Sequence, residues 1–195
     1  MPLLPLEPFV FPDDLLTGSP IPENEAEHWW VLHTRPRAEK ALARLVLGHK
    51  LPFFLPLYKR EWRSRGRMLS SYPPLFPGYL FLRGDREARL RALETNLVAN
   101  CLPVGDQGRL AADLKNVFTL MASGSTLSPE DRLQPGTHVE IVSGPLAGVE
   151  GTIISRGKRL TFFVEVQFLQ QGVSIEIENW MFRPLDSPRP ANAIR

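Results

Sequence analysis

The chain has 195 residues, 43% of them apolar, and a formal charge of +2, which suits one large or two small globular domains and excludes a chain that is basic throughout. A single cysteine, Cys101, excludes an intrachain disulfide and a Cys-rich metal site, and fits a reducing compartment. No apolar run approaches the roughly 18 residues of a membrane span, and the acidic, Pro-rich start is unlike a signal peptide, so a cytoplasmic protein with no membrane contact is expected.

Residues 1–27 hold six prolines and six acids with no Lys or Arg, a composition that buries too little surface to offset chain entropy. A disordered acidic leader is expected, with Leu3, Leu4, Phe9, Val10, Phe11, Leu15 and Leu16 as an alternative docking motif. From Arg35 to Arg67 the balance reverses: ten Lys or Arg stand against Glu39 and Glu61, a local excess that points to a polyanion partner.

His28–Thr34 is rich in β-formers and stops at Arg35-Pro36. Alternation sends Trp30 and Leu32 to one face and Trp29, Val31 and His33 to the other. Ala41, Leu42, Leu45 and Val46 then recur at helical spacing up to Gly48, with Arg37, Lys40 and Arg44 on the polar side. Phe53–Trp62 reads as a strand and Arg63–Arg67 as the tip of a hairpin that returns through Met68–Tyr72.

In Leu75-Phe76-Pro77-Gly78-Tyr79-Leu80-Phe81-Leu82 a Pro-Gly turn feeds a strand that is apolar on both faces. A second helix is expected over Arg86–Thr95, a strand over Leu97–Val104 and a third, short helix over 109–122. Helices among hairpin-connected strands imply an α+β domain over 28–122, an antiparallel sheet with flanking helices. Trp30, Leu32, Leu80 and Leu82 are expected under the helices, leaving Val31, His33, Tyr79 and Phe81 uncovered for a partner.

Residues 123–133 read as a flexible linker. Beyond it, 134–185 is all strand and turn, and so many short strands are expected to close into a small all-β, SH3-like barrel, followed by a tail over 186–195. Residues 135–185 carry four Lys or Arg and five Glu, so the barrel suits a protein partner better than a nucleic acid. Catalysis has no support: His28, His33, His49 and His138 lack metal-ligand spacing, and no phosphate loop or nucleophile motif is present, so neither enzyme activity, metal nor cofactor is expected.

Gly136-Thr137-His138-Val139-Glu140-Ile141, followed by Gly144-Pro145-Leu146-Ala147-Gly148-Val149-Glu150-Gly151, resembles the KOW motif. Val139 and Ile141 fill a core, Gly144-Pro145 turns a hairpin, and Gly148 and Gly151 permit strained or close backbone approach. Together with Trp29-Trp30-Val31-Leu32 and Phe76-Pro77-Gly78-Tyr79 upstream, this resembles the NusG family of transcription elongation factors over residues 28–185.

That resemblance implies an N-terminal (NGN) domain that binds RNA polymerase at the β′ clamp helices through an apolar depression formed by His33, Phe76, Tyr79, Phe81 and Val104. It further implies that Arg35, Arg37, Lys40 and Arg44 face the non-template DNA of the transcription bubble, and that the chain, expected to be a monomer, modulates pausing, termination or antitermination. A KOW domain of this kind reaches a small-subunit ribosomal protein or Rho, here through Gly144, Pro145, Leu146, Gly148, Phe168 and Leu169. Alternation from Val164, Val166 and Phe168 places Leu169 on the exposed side. The sequence leans toward specialised paralogues similar to RfaH; the rival is a ribosome-associated KOW RNA-binding protein. The Arg63, Arg65 and Arg67 tip is a contact to DNA or polymerase, or a solvated loop.

Overall fold

A computed structural model describes residues 7–17, 27–130, 136–156, 159–177 and 182–185. Residues 1–6 and 18–26 of the leader, 131–133 of the expected linker, 134–135 at the start of the expected barrel and the tail 186–195 lie outside the described residues. The chain divides into two compact units, residues 1–115 and 116–195, the division falling at Lys115 rather than in the expected linker. No helix among the described residues is long and apolar enough to cross a membrane.

The first unit is built on a five-stranded antiparallel sheet. Its strands are β1 (Val10–Phe11), β2 (His28–Thr34), β3 (Phe53–Phe54), β6 (Tyr79–Gly84) and β7 (Val98–Leu102), in the order β1-β3-β6-β2-β7. In the central pair Trp30 lies opposite Leu82, Leu32 opposite Leu80 and His33 opposite Tyr79, so one face of β2 adds to the same face of β6.

Helices α1 (Glu39–Gly48) and α2 (Arg86–Glu94) supply Leu42, Ala43, Val46, Ala88 and Ala92 to a cluster with Leu32, Leu80 and Leu82, against which Trp30 packs. The face assigned to the helices by alternation is therefore the one they cover. Helix α2 begins where Asp85 Oδ1 accepts the Ala88 N–H at 2.8 Å, an N-cap of about 1 kcal/mol.

The leader departs from expectation between residues 7 and 17. Val10 and Phe11 pair with Phe54 and Phe53, the Leu55 N–H donates to the Phe9 carbonyl at 2.6 Å, and Leu15 and Leu16 are buried. The apolar residues of a Pro-rich segment have found a sheet edge, and this tertiary pairing outweighs the composition of the segment as a whole.

Strands β4 (Arg60–Ser64) and β5 (Arg67–Ser71) form a separate two-stranded sheet, the expected hairpin, closed by Arg65 and Gly66, both at positive φ, as a two-residue primed turn requires. The third helix, α3 (Gln107–Ala122), is longer than expected, at 16 residues.

In the second unit β8 (Ser128–Glu130), β9 (Thr137–Ile141), β10 (Glu150–Arg156), β11 (Arg159–Val166), β12 (Gln171–Ile177) and β13 (Phe182–Pro184) form an antiparallel sheet in the order β13-β9-β10-β11-β12-β8. Strand β8 comes from the expected linker and pairs with β12. Val139, Ile141, Val164 and Val166 are buried, and so are the successive Phe162 and Phe163, which point to opposite faces. Each ring lies where a glycine of a neighbouring strand leaves room: a Cβ on Gly151 would meet the Phe162 ring, and one on Gly172 the Phe163 ring.

Candidate functional site

The turn into β6 organises the site. Tyr79 N–H donates to the Phe76 carbonyl at 3.2 Å, with Pro77 next in the turn and Gly78 at φ +86°, the pairing of residues that a type II turn demands. Both main-chain groups of Gly78 are claimed: its carbonyl accepts the Thr34 N–H at 2.7 Å, and its N–H donates to Glu39 Oε1 at 2.8 Å. Glu39 is buried and lies in the first turn of α1, where a carboxylate is also favoured by the helix dipole. One side chain thus ties the Pro-Gly turn to the helix that carries Lys40 and Arg44.

Beside this turn the His33 and Tyr79 rings pack across the strands at 5.2 Å between centroids; His33 is exposed and Tyr79 half-buried. Val104, in the loop after β7, is half-buried.

Phe81 and Phe76 contradict the expected depression. Both are fully buried, Phe81 stacking with Phe54 at 6.4 Å and meeting Phe76 edge-on at 6.1 Å. Alternation identified the face correctly but did not show that Phe54 and Phe76 come together there with Phe81 as a second aromatic cluster. Of the five residues expected in the depression, His33, Tyr79 and Val104 retain accessible surface.

Arg35 and Arg37 are exposed on the connection from β2 to α1, while the Arg35 N–H is fixed on the Leu97 carbonyl at 2.8 Å. Arg37 has φ +62°, a left-handed conformation that costs a non-glycine residue about 1–2 kcal/mol. Lys40 is half-buried, and Arg44 is exposed and ion-paired to Glu7 at 2.7 Å. Three cations of the expected set are therefore without an ion pair among the described residues, and the fourth is held by the leader.

In the second unit Gly144 and Gly148 sit at φ +83° and +82°, and Gly144, Pro145 and Gly148 are exposed. Leu146 is fully buried, its carbonyl accepting the Val149 N–H at 3.0 Å, so it belongs to the core of this loop and not to its surface. Leu169 is also a correction. Strand β11 ends at Val166, and Gln167–Leu169 is a 3₁₀ turn, so the period of two lapses; Phe168 is exposed and Leu169 half-buried.

Three contributors were not identified from sequence. Glu39 was legible only as an acid among cations at a helix start, and Glu7 as one acid of six in the leader. Gln107 carried no signal: its side-chain amide accepts the Trp29 N–H at 2.7 Å and donates to the Trp29 carbonyl at 3.2 Å.

Residues 27–115 match the family model described as NusG, transcription termination factor nusG. Among solved structures the chain is similar to one described as "Domain interaction in Thermotoga maritima NusG", with 17% identity and a TM-score of 0.45 over 78% of this chain and 94% of that one. It is also similar to a chain of the MjSpt4:Spt5 complex, with 15% identity and a TM-score of 0.27 over 82% of this chain and 99% of that one. No curated protein matches.

Proposed function

We propose, from the premise that residues 27–115 belong to the NusG family, a family of transcription factors and not of enzymes, that the chain is a regulator of transcription elongation. Its first unit binds RNA polymerase at the β′ clamp helices through His33, Tyr79 and Val104, while Arg35, Arg37 and Lys40 hold the non-template strand by its phosphates. The observation that carries this reading is the His33–Tyr79 pair, accessible beside a Pro-Gly turn that Glu39 locks to the start of the basic helix. Arg37 adds to it, because a strained backbone at an exposed cation is characteristic of functional positions.

The second unit, on this reading, is a KOW barrel that meets a protein, a small-subunit ribosomal protein or Rho, through Gly144, Pro145, Gly148 and Phe168. Its glycine geometry, two residues at positive φ and Gly151 in close contact with β11, supports the motif. On this reading the chain acts as an antiterminator, a role supported by the likeness of its Leu75–Phe81 stretch and Leu-Pro-rich leader to specialised paralogues.

The test measures retention of the full chain on elongation complexes assembled with and without the non-template strand, across a salt series. Stronger retention with the strand present, and a salt slope that flattens when Arg37 and Lys40 become Ala, are expected. Equal retention on both scaffolds removes DNA from the reading, and no binding to purified polymerase removes the whole of it.

A further inference from the structure

The β4–β5 arm is absorbed by neither core. Every residue of β4 is exposed, and the arm is rooted by a stem of paired proline-rich rails: Leu57 bridges Pro74, the Leu75 N–H donates to the Pro56 carbonyl at 2.8 Å, and the Tyr58 N–H to the Pro73 carbonyl at 3.1 Å. Such a stem holds the arm in a defined direction at little entropic cost.

Register sorts its side chains. Arg60 pairs with Ser71, Trp62 with Leu69 and Ser64 with Arg67, so these six share one face; Glu61, Arg63, Met68 and Ser70 take the other. Trp62 and Leu69, 41% and 42% exposed, therefore lie side by side with Arg60 on one flank and Arg67 on the other, each about 7 Å away along its strand. The one acid of the arm, Glu61, is on the opposite face and is bound by Lys59 at 2.6 Å, its hydrogen bond and charge raising the Lys59 pKa. No ion pair reaches Arg60, Arg63, Arg65 or Arg67 among the described residues.

We propose that this face of the arm is a binding site for single-stranded nucleic acid, with one unstacked base on the Trp62 indole beside Leu69 and the flanking phosphates on Arg60 and Arg67. An indole between unpaired cations is the arrangement that sequence-tolerant strand binders use, since every base offers a π-face and every linkage a charge. What favours a strand over a protein is the spacing of the two arginines, one on each flank of the indole at about the reach of successive linkages; Trp and Arg are also common at protein interfaces, and a protein partner is the alternative outcome of the test. A closed duplex fits poorly, its bases being stacked on one another. The site is separate from the α1 face and does not rest on the polymerase contact.

The experiment titrates the full chain against fluorescently labelled oligo(dT), oligo(rU) and a duplex of about a dozen units, within the span such sites occupy. Trp62→Ala is expected to weaken binding to a single strand about tenfold, Trp62→Phe to restore most of it, and duplex binding to stay unchanged. Arg60→Gln with Arg67→Gln should lower the salt slope by about 1.4, two phosphates at about 0.7 each. These effects should persist when Arg37, Lys40 and Arg44 are all Ala. Whichever of the two strands shows them at the lower concentration identifies the source as DNA or RNA. Wild-type affinity of Trp62→Ala for both single strands overturns the proposal, and loss of polymerase binding by that variant with oligonucleotide binding intact reassigns the arm to protein.

Discussion

The side-chain amide of Gln107 satisfies both main-chain groups of Trp29, accepting from its N–H at 2.7 Å and donating to its carbonyl at 3.2 Å. Strand β7 pairs with β2 only as far as Val31, opposite Leu102, so Trp29 lies one repeat beyond its end. An amide side chain, with the donor and acceptor of a peptide unit, continues the ladder by one rung. Gln107→Ala should lower the unfolding free energy by about 1–3 kcal/mol in urea denaturation, since the Trp29 groups lose their partner in a largely buried position. An unchanged midpoint would mean that water replaces the amide without cost.

Phe81 and Tyr79, two residues apart on β6, should separate stability from binding. Phe81→Ala empties a fully buried site shared with Phe54 and Phe76 and is expected to cost about 3–5 kcal/mol in unfolding experiments. Tyr79→Ala should cost far less stability but weaken polymerase binding by about 1–3 kcal/mol. Equal binding by the Tyr79 variant would remove this ring from the interface.

Glu39 should act as an acceptor for Gly78 more than as a charge. Glu39→Gln keeps a carbonyl oxygen in reach of the Gly78 N–H and is expected to remain close to wild type in thermal unfolding. Glu39→Ala leaves that N–H unpaired and should cost about 1–3 kcal/mol. Gly78→Ala, at φ +86°, should cost about 1–2 kcal/mol from the backbone alone, because the added Cβ meets only the His33 ring at an ordinary 3.5 Å.

Arg37 offers a prediction in which two observables move in opposite directions. Arg37→Gly relieves a left-handed backbone and should raise unfolding stability by about 1 kcal/mol, while removing one cation and reducing retention on elongation complexes. A variant that gains stability and keeps full retention would show that the strain at this residue serves neither DNA nor polymerase.

Where the chain's period was regular, sequence sufficed for the fold. Alternation in β2 and β6 assigned Trp30, Leu32, Leu80 and Leu82 to the helical side, and the Pro-Gly pair located the turn. It failed where an unseen neighbour decided the outcome. Phe81 had the pattern of an exposed aromatic, and its burial depends on Phe54 and Phe76, which come from β3 and the turn. Leu169 was placed by continuing a period through a 3₁₀ turn that the Gln-rich stretch does not announce. In the leader, composition averaged over 27 residues concealed the short segment that pairs.

That segment bears on how the first unit can be handled. Strand β1 occupies the outer side of β3, and the Phe9 carbonyl takes the Leu55 N–H just beyond it. A fragment cut at residue 28 would leave the Phe53–Leu55 backbone bare beside apolar side chains, and a bare edge of that kind recruits strands from other molecules. Fragments that retain residue 7 onward should stay monodisperse at concentrations where the shorter ones self-associate, which makes the Phe9–Phe11 segment an internal guard against oligomers.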